Sequence, residues 1–183
     1  MIAVVSNDAG SAEIISSWLL LQNEEFLLVL DGPATDIFAR KISNIKIHSL
    51  DNALKKADWL ITGTSIFSSL ELDAIAKSKV MSLKSVTFLD HWANYPKRFV
   101  KNNKQFLPDE LWVGDIYAYD LAKKIFPDTK IVFEENAYFR SIKNASINFK
   151  KGSFSNNKSE YILYLCSPVA DHSKLLHNDE KYW

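Results

Sequence analysis

The sequence predicts an α/β fold, a Rossmann-like, doubly wound parallel sheet running from Met1 to about Tyr138. Two observations carry this. Short apolar, β-rich runs alternate with amphipathic stretches at the spacing of βαβ units. Turn and cap residues punctuate them, at Asp31-Gly32-Pro33, Gly63-Thr64-Ser65 and Gly114-Asp115. With 47% hydrophobic and 24% charged residues among 183, the chain can bury a sizeable core.

Ile2-Ala3-Val4-Val5 reads as a buried first strand. Ser11 to Gln22 carries apolar Ala12, Ile15 and Leu19, with Ser11 placed to cap and Glu13 in the first turn, so a helix is expected. Phe26 to Leu30 is the next strand, and Pro33 suits the first turn of a helix running to about Ile42. Ile45-Lys46-Ile47 reads as a short strand, and Asp51 as the cap of a helical turn through Lys56. Trp59 to Thr62 is a strand, followed by a helix from about Ser69 to Lys79 and by the strand Ser85 to Leu89. Leu111 to Val113 is another strand; Asp115 then caps a helix through Ile125, which Pro127 ends. Lys130 to Phe133 is a further strand.

Beyond Tyr138 the composition shifts to Ser, Asn and Lys. Residues 139–160 read as a linker, and 161–183 as the start of a second, incomplete α/β domain or a C-terminal extension, opened by the strand Tyr161 to Cys166. One strand cannot bury itself. The chain either returns it to the first sheet or holds only the beginning of another domain.

Charge and composition narrow the function. Lys plus Arg and Asp plus Glu are 22 each, for a net charge of zero, which builds no broad positive field for nucleic acid. Near-zero charge leaves self-association open. The single cysteine, Cys166, cannot form an internal disulfide, and no Cys/His spacing suits zinc. Met1 to Val5 has no basic lead, and no apolar run approaches the roughly 20 residues of a membrane span, so a cytoplasmic protein without an integral membrane segment is expected.

The chemistry concentrates where strands end. Leu89-Asp90-His91-Trp92-Ala93-Asn94-Tyr95-Pro96-Lys97-Arg98 brings an acid, an imidazole, aromatics, an amide and a guanidinium to the carboxyl edge of the expected sheet, where open α/β folds bind ligands. Asp90 and His91 are the best acid/base pair, although neighbours on an extended strand point apart. Arg98 can clamp a phosphate or carboxylate, or lie over Trp92 or Tyr95. Trp92 and Tyr95 can stack on a sugar or fill the core. Asn7, Asp8 and Gly10 sit between the first strand and first helix, where Gly10 allows close backbone approach and the helix end offers amides to a phosphate or sugar oxygen. One glycine is too few for the dinucleotide fingerprint, and Asp8 would repel a phosphate. Gly63 and Thr64 follow another strand and can hold a polar ligand at the same edge, or serve as a loop and cap.

Four segments together resemble a known family: Ser6 to Glu13, Leu89 to Tyr95 with Arg98-Phe99, Leu107 to Asp115, and Tyr117-Ala118 with Leu121-Ala122. They look like the N-terminal half of bacterial proteins related to GT-B glycosyltransferases of surface-polysaccharide biosynthesis. The resemblance implies a two-domain enzyme with its site in the cleft. The first domain supplies the acceptor side and often the base, and the second most nucleotide-sugar contacts. It implies no metal and no cofactor. Carried onto this chain, Asn7, Asp8 and Gly10 line the cleft floor, and Asp90 or His91 is the base that deprotonates an acceptor hydroxyl. Gly63, Thr64, Asn94, Tyr95 and Arg98 complete the expected substrate-binding set.

The expected partners are a nucleotide sugar or phosphosugar, a glycan acceptor, and another copy or a partner that supplies the missing second domain. Without that domain the chain is not expected to turn over a nucleotide sugar. A non-catalytic phosphosugar- or nucleotide-binding module, and a nucleotide-sugar epimerase or hydrolase of the same architecture, are the competing readings.

Overall fold

In a strand, successive side chains point to opposite faces, so a strand buried on both sides must be apolar throughout. Ile2–Ser6 (β1) meets that condition, with every residue buried. Ile2 and Val4 join one core cluster while Ala3 and Val5 join another. The computed structural model describes residues 1–148 together with Lys174 and Asn178.

Around β1 the elements follow in order: Ala9–Leu19 (α1), Phe26–Leu30 (β2), Pro33–Lys41 (α2), Leu50–Lys56 (α3), Trp59–Thr62 (β3), Leu70–Val80 (α4) and Lys84–Leu89 (β4). After these come the four-residue helix Tyr95–Arg98 (α5), the hairpin Val100–Lys101 (β5) and Lys104–Gln105 (β6), Glu110–Val113 (β7), Ile116–Ile125 (α6), Lys130–Phe133 (β8) and Ala137–Asn148 (α7). Six strands form one sheet in the order β2-β1-β3-β4-β7-β8, and all of its pairings are parallel. The fold is Rossmann-like α/β, as the alternation of elements predicts.

The sheet is covered on both faces. Residues of α1, α2 and α7 pack with Ile2, Val4, Ile61, Val86 and Phe88. Residues of α3 and α4 cover Ala3, Val5, Val29 and Leu60, while α4, α5 and α6 cover Leu89, Leu111 and Val113. Fully burying one such side chain contributes roughly 1.5–3 kcal/mol.

The amino edge of the sheet is fastened by charge, and aromatic rings pack across one of its faces. Glu110, which opens β7, pairs with Lys84 and Lys130, which open the two flanking strands, at 2.9 and 2.8 Å. Burial pushes the Glu110 carboxyl up, but hydrogen bonds from Lys130, Lys84 and the Trp112 indole outweigh it and hold the group at about 2. Trp18, Trp59 and Trp112 meet edge-on or tilted, with ring centroids 5.4 to 6.1 Å apart.

Several local expectations are corrected. Ser11 does not cap the first helix. Asp8 is extended and its carboxylate accepts from the Gly10 amide, so α1 starts at Ala9 and Ser11 lies inside it. Asp51 is not a cap either: Ser49 holds that position, and Asp51 sits in the first turn of α3 and pairs with Lys77. Ile45 to Ile47 makes a single bridge, Leu28 to Ile47, in place of a strand. The hairpin of β5 and β6 turns on Asn102 and Asn103, both at positive φ, which suits the tight two-residue turn.

The first compact unit extends from Met1 to Asn148, because α7 continues past Tyr138 and packs on α1. Phe149–Trp183 forms a second unit. The strand expected at Tyr161 to Cys166, and the domain expected to begin there, lie outside the described residues.

Candidate functional site at the carboxyl edge

In the strand order the chain steps from β1 to β2 on one side and returns to β3 on the other. That reversal opens a crevice beyond the carboxyl ends of β1 and β3, the place where open α/β sheets bind ligands. Three loops reach this edge because their strands are parallel. Asn7 and Asp8 follow β1, Gly63 and Thr64 follow β3, and Asp90 and His91 follow β4.

Arg98 of α5 ties two of these loops together. Its guanidinium is buried at 6% exposure. Nη1 donates to Thr64 Oγ1 at 2.5 Å, to the Thr64 carbonyl at 3.4 Å and to Asp90 Oδ1 at 3.2 Å. Nε donates to the Ala93 carbonyl at 3.2 Å, and Nη2 meets His91 Nε2. The expected anion clamp is therefore already engaged by the protein, and Arg98 does not stack over Trp92 or Tyr95 as the alternative expectation had it. Among the described residues the cation–π contact is Lys41 over Tyr138.

Asp90 and His91 do meet a common partner, although neighbours on a strand would point apart. β4 ends at Leu89, and the chain bends there, so both side chains reach Arg98. Burial raises the Asp90 carboxyl above its ordinary value, with Arg98 and His91 pulling it down and Asp8 pushing it up. His91 is exposed. Its Nδ1 accepts from the Ala93 amide at 3.1 Å while Nε2 faces Arg98. A neutral imidazole has one acceptor nitrogen, so these two donors compete for a single lone pair.

The two glycines are close-approach positions, but the approaching atoms belong to the protein. A Cβ on Gly10 would stand 2.2 Å from Asp90 Oδ2. One on Gly63 would stand 2.1 Å from Ser11 Oγ and 2.5 Å from Ser11 Cβ. Gly10 thus makes room for a carboxylate, and Gly63 lets α1 lie against the end of β3.

Tyr95 cannot stack on a ligand. It is 1% exposed, and its hydroxyl has no hydrogen-bond partner among the described residues. Burial and the nearby Asp115 push it up to about 12. Trp92 is 59% exposed, and its indole N–H is held by both oxygens of Asp115 at 3.1 and 2.9 Å, which leaves the ring fixed and its face open. Asn94 is exposed and adopts the left-handed conformation that leads into α5.

Sequence reasoning missed Glu71. This residue of α4 is 2% exposed, and its Oε1 accepts from the Asn7 amide at 2.7 Å. Burial raises its carboxyl, the amides of Asn7 and Asp8 and its own amide lower it, and Asp8 raises it further. The signal was present: Glu71 shares a helical face with Ala74, Ile75 and Ser78, all buried.

Two cavities lie away from this edge. One of about 470 Å³ is lined by Lys79, Ser82, Leu83, Lys84 and Asp109, toward the starts of the strands. Another of about 310 Å³ runs between α1 and α7, past Lys41 and Arg140. Among the described residues no three His, Cys, Asp or Glu side chains are grouped to hold a metal ion, and no helix is long and apolar enough to cross a membrane. No family model, curated protein or solved structure matches the chain.

Proposed function

We propose that the Met1–Asn148 unit is the acceptor-side half of a GT-B-like glycosyltransferase. It moves a sugar from a nucleotide-sugar donor to a glycan hydroxyl in surface-polysaccharide assembly. A second α/β domain supplies the donor contacts. The observation that supports this reading best is the convergence of Asn7 and Asp8, Thr64, and Asp90 and His91 at one switch-point crevice. The likeness to that family of Ser6 to Glu13, of Leu89 to Tyr95 with Arg98-Phe99, of Leu107 to Asp115, and of Tyr117-Ala118 with Leu121-Ala122 supplies the reaction class.

In this reading His91 is the group an acceptor hydroxyl meets first, because it is exposed while Asp90 is sheltered against Arg98 and Gly10. Proton transfer to Nε2 requires Arg98 Nη2 to withdraw from it. Asp90 and Arg98 then act as positioning residues, and Asp90 offsets charge on the imidazolium that forms.

The test is sugar transfer from labelled nucleotide sugars to glycan acceptors, with the chain supplied with a donor-binding domain. His91→Ala should lower the rate about 10²-fold or more while leaving the unfolding midpoint unchanged. An unaltered rate removes His91 from the mechanism. The competing module that binds a phosphosugar or nucleotide is less well supported, because the amides it would use are occupied by side chains of the chain itself.

A further inference from the structure

Neighbouring helices ordinarily interlock through rows of side chains spaced three and four residues apart. Along α7 such a row, Ala137, Arg140, Ser141 and Asn144, lies toward the end of α1, where Leu20 and Leu21 continue the last turn. Of the α7 row only Ala137 is buried, in the core it shares with α1; Arg140, Ser141 and Asn144 are exposed. Between the two helices stands the cavity of about 310 Å³, close to the smallest volumes in which clefts hold small molecules.

One side of this groove is apolar and wet. Leu20 and Leu21 are each more than half exposed, although they line a recess where a packed helix would cover them. A single exposed leucine is ordinary. Two adjacent ones beside a groove are a surface that an apolar chain can cover.

The other side keeps free donors. Arg140 Nη1 donates to Glu135 Oε2 at 3.0 Å, in an exposed pair that water screens. Its Nε and Nη2 have no partner among the described residues, nor has the Asn144 amide. Lys41 is occupied: Nζ donates to the Glu13 carbonyl at 2.9 Å and to Ser17 Oγ at 2.8 Å, and pairs with the Glu13 carboxylate. No carboxylate stands among the described residues that line the groove. Around it, Arg40, Lys41, Arg140 and Lys143 outweigh Glu13 and Glu135.

We infer that this groove binds a small amphiphile, a carboxylate carried on an unbranched alkyl chain of medium length. Arg140 and Asn144 receive the head, and the chain lies over Leu20 and Leu21. Nε and Nη2 are two parallel donors of one planar group, which suits the two oxygens of a carboxylate. A cationic head meets Arg140 as a like charge, and a carboxylate without its chain leaves the leucines in water. The inference is independent of the transferase reading, since the groove shares no residue with the carboxyl-edge set.

The test uses the full 183-residue chain with ¹³C in the leucine methyls and ¹⁵N in the arginine side chains, at low salt. The probes are octanoate, 1-octanol, octyltrimethylammonium and acetate, each kept below the concentration at which it aggregates. Octanoate should shift the Leu20 and Leu21 methyl signals together with the Arg140 Nε–H signal. It should do so at about a tenth of the concentration needed for octyltrimethylammonium or 1-octanol, which lack the negative charge, or for acetate, which lacks the chain. About 0.5 M salt should narrow the gap between octanoate and octyltrimethylammonium. Arg140→Ala should weaken octanoate about 10-fold and leave 1-octanol unchanged. Leu21→Asp should abolish the octanoate response. Both positions are exposed, so both variants should keep the parent's unfolding midpoint.

An equal response to octyltrimethylammonium overturns the inference. So does an octanoate response that survives Arg140→Ala undiminished, and so do leucine methyls that octanoate leaves in place. A dimer in sedimentation that Leu21→Asp splits also overturns it, because a second copy of the chain is then the occupant. None of these outcomes bears on sugar transfer, which the assay above measures.

Discussion

Gly10 and Asp90 share one volume: the point where a Cβ on Gly10 would stand is 2.2 Å from Asp90 Oδ2. Eighty positions apart in the chain, the two residues are interdependent because α1 and the bend after β4 meet at the carboxyl edge. Gly10 also lies within a helix, where alanine is ordinarily preferred by about 1 kcal/mol. Propensity and packing therefore predict opposite signs for the same substitution.

Packing should prevail. Gly10→Ala is expected to lower stability by about 1–3 kcal/mol, because Asp90 is held by Arg98 and has little room to retreat. In an Asp90→Ala background the same substitution should cost less than about 1 kcal/mol, since the obstructing carboxylate is gone. Urea unfolding of the four proteins in this cycle measures the coupling. A Gly10→Ala chain as stable as the parent would show that the contact is absent.

Arg98→Ala should cost about 3–5 kcal/mol, because it strands the buried Asp90 carboxylate. Arg98→Lys should recover little of that. One ammonium cannot reach Thr64, Ala93, Asp90 and His91 from a single point as the planar guanidinium does. Hydrogen exchange should locate the loosening in residues 90–99. Full rescue by lysine would reduce Arg98 to a simple counter-charge.

Stability should fall at the acid end, and Glu110 carries part of that fall. Its folded value, about 2, lies below the ordinary 4.5, so the folded chain keeps this carboxylate charged where the unfolded chain protonates it. The contribution is complete above about 4.5 and is lost as pH drops from there through 2. With the exposed lysines screened by water, it is worth about 1–2 kcal/mol. Glu110→Gln should flatten this limb in a series of urea titrations.

Glu71 and Asp90 work the other way. Both are raised in the folded chain, so the folded state holds their protons more tightly, and their contribution declines as pH climbs past the ordinary carboxylate range. Glu71→Gln should remove part of that decline. A variant whose stability keeps the parent's slope between pH 5 and 8 would rule Glu71 out as its source.

Asp115 has two tasks, since it caps α6 through the Ala118 amide and holds the Trp92 indole. Asp115→Ala should cost about 1 kcal/mol for the cap and free the Trp92 ring. Asp115→Asn should keep most of the cap. The indole N–H signal of Trp92 should move toward a solvent-exposed position in the alanine variant and much less in the asparagine one.

The sheet was legible because buried parallel strands leave continuous apolar runs. Ile2 to Val5, Phe26 to Leu30 and Trp59 to Thr62 all read as such, and all are strands. The meeting of Asn7, Thr64 and Asp90 at one edge followed from parallel order alone. What the residues at that edge touch was not legible. Arg98 looks free in the sequence, and its capture by Thr64 spans 34 positions. Glu71 reaches back 64 positions to Asn7. Such contacts depend on how helices lie across the sheet, which local periodicity does not encode. Boundaries slipped for a different reason: Asp8 and Ser11 are both competent caps, and the extended backbone at Asp8 decides between them.

The sheet is moored at one rim and gathers the candidate site at the other. The Glu110 ties to Lys84 and Lys130 belong to the strand starts. Loops on the far side can therefore be lengthened, shortened or recoded without unfastening the strands. A lineage built on this frame is free to alter what those turns present, while the mooring that keeps the frame upright stays as it is.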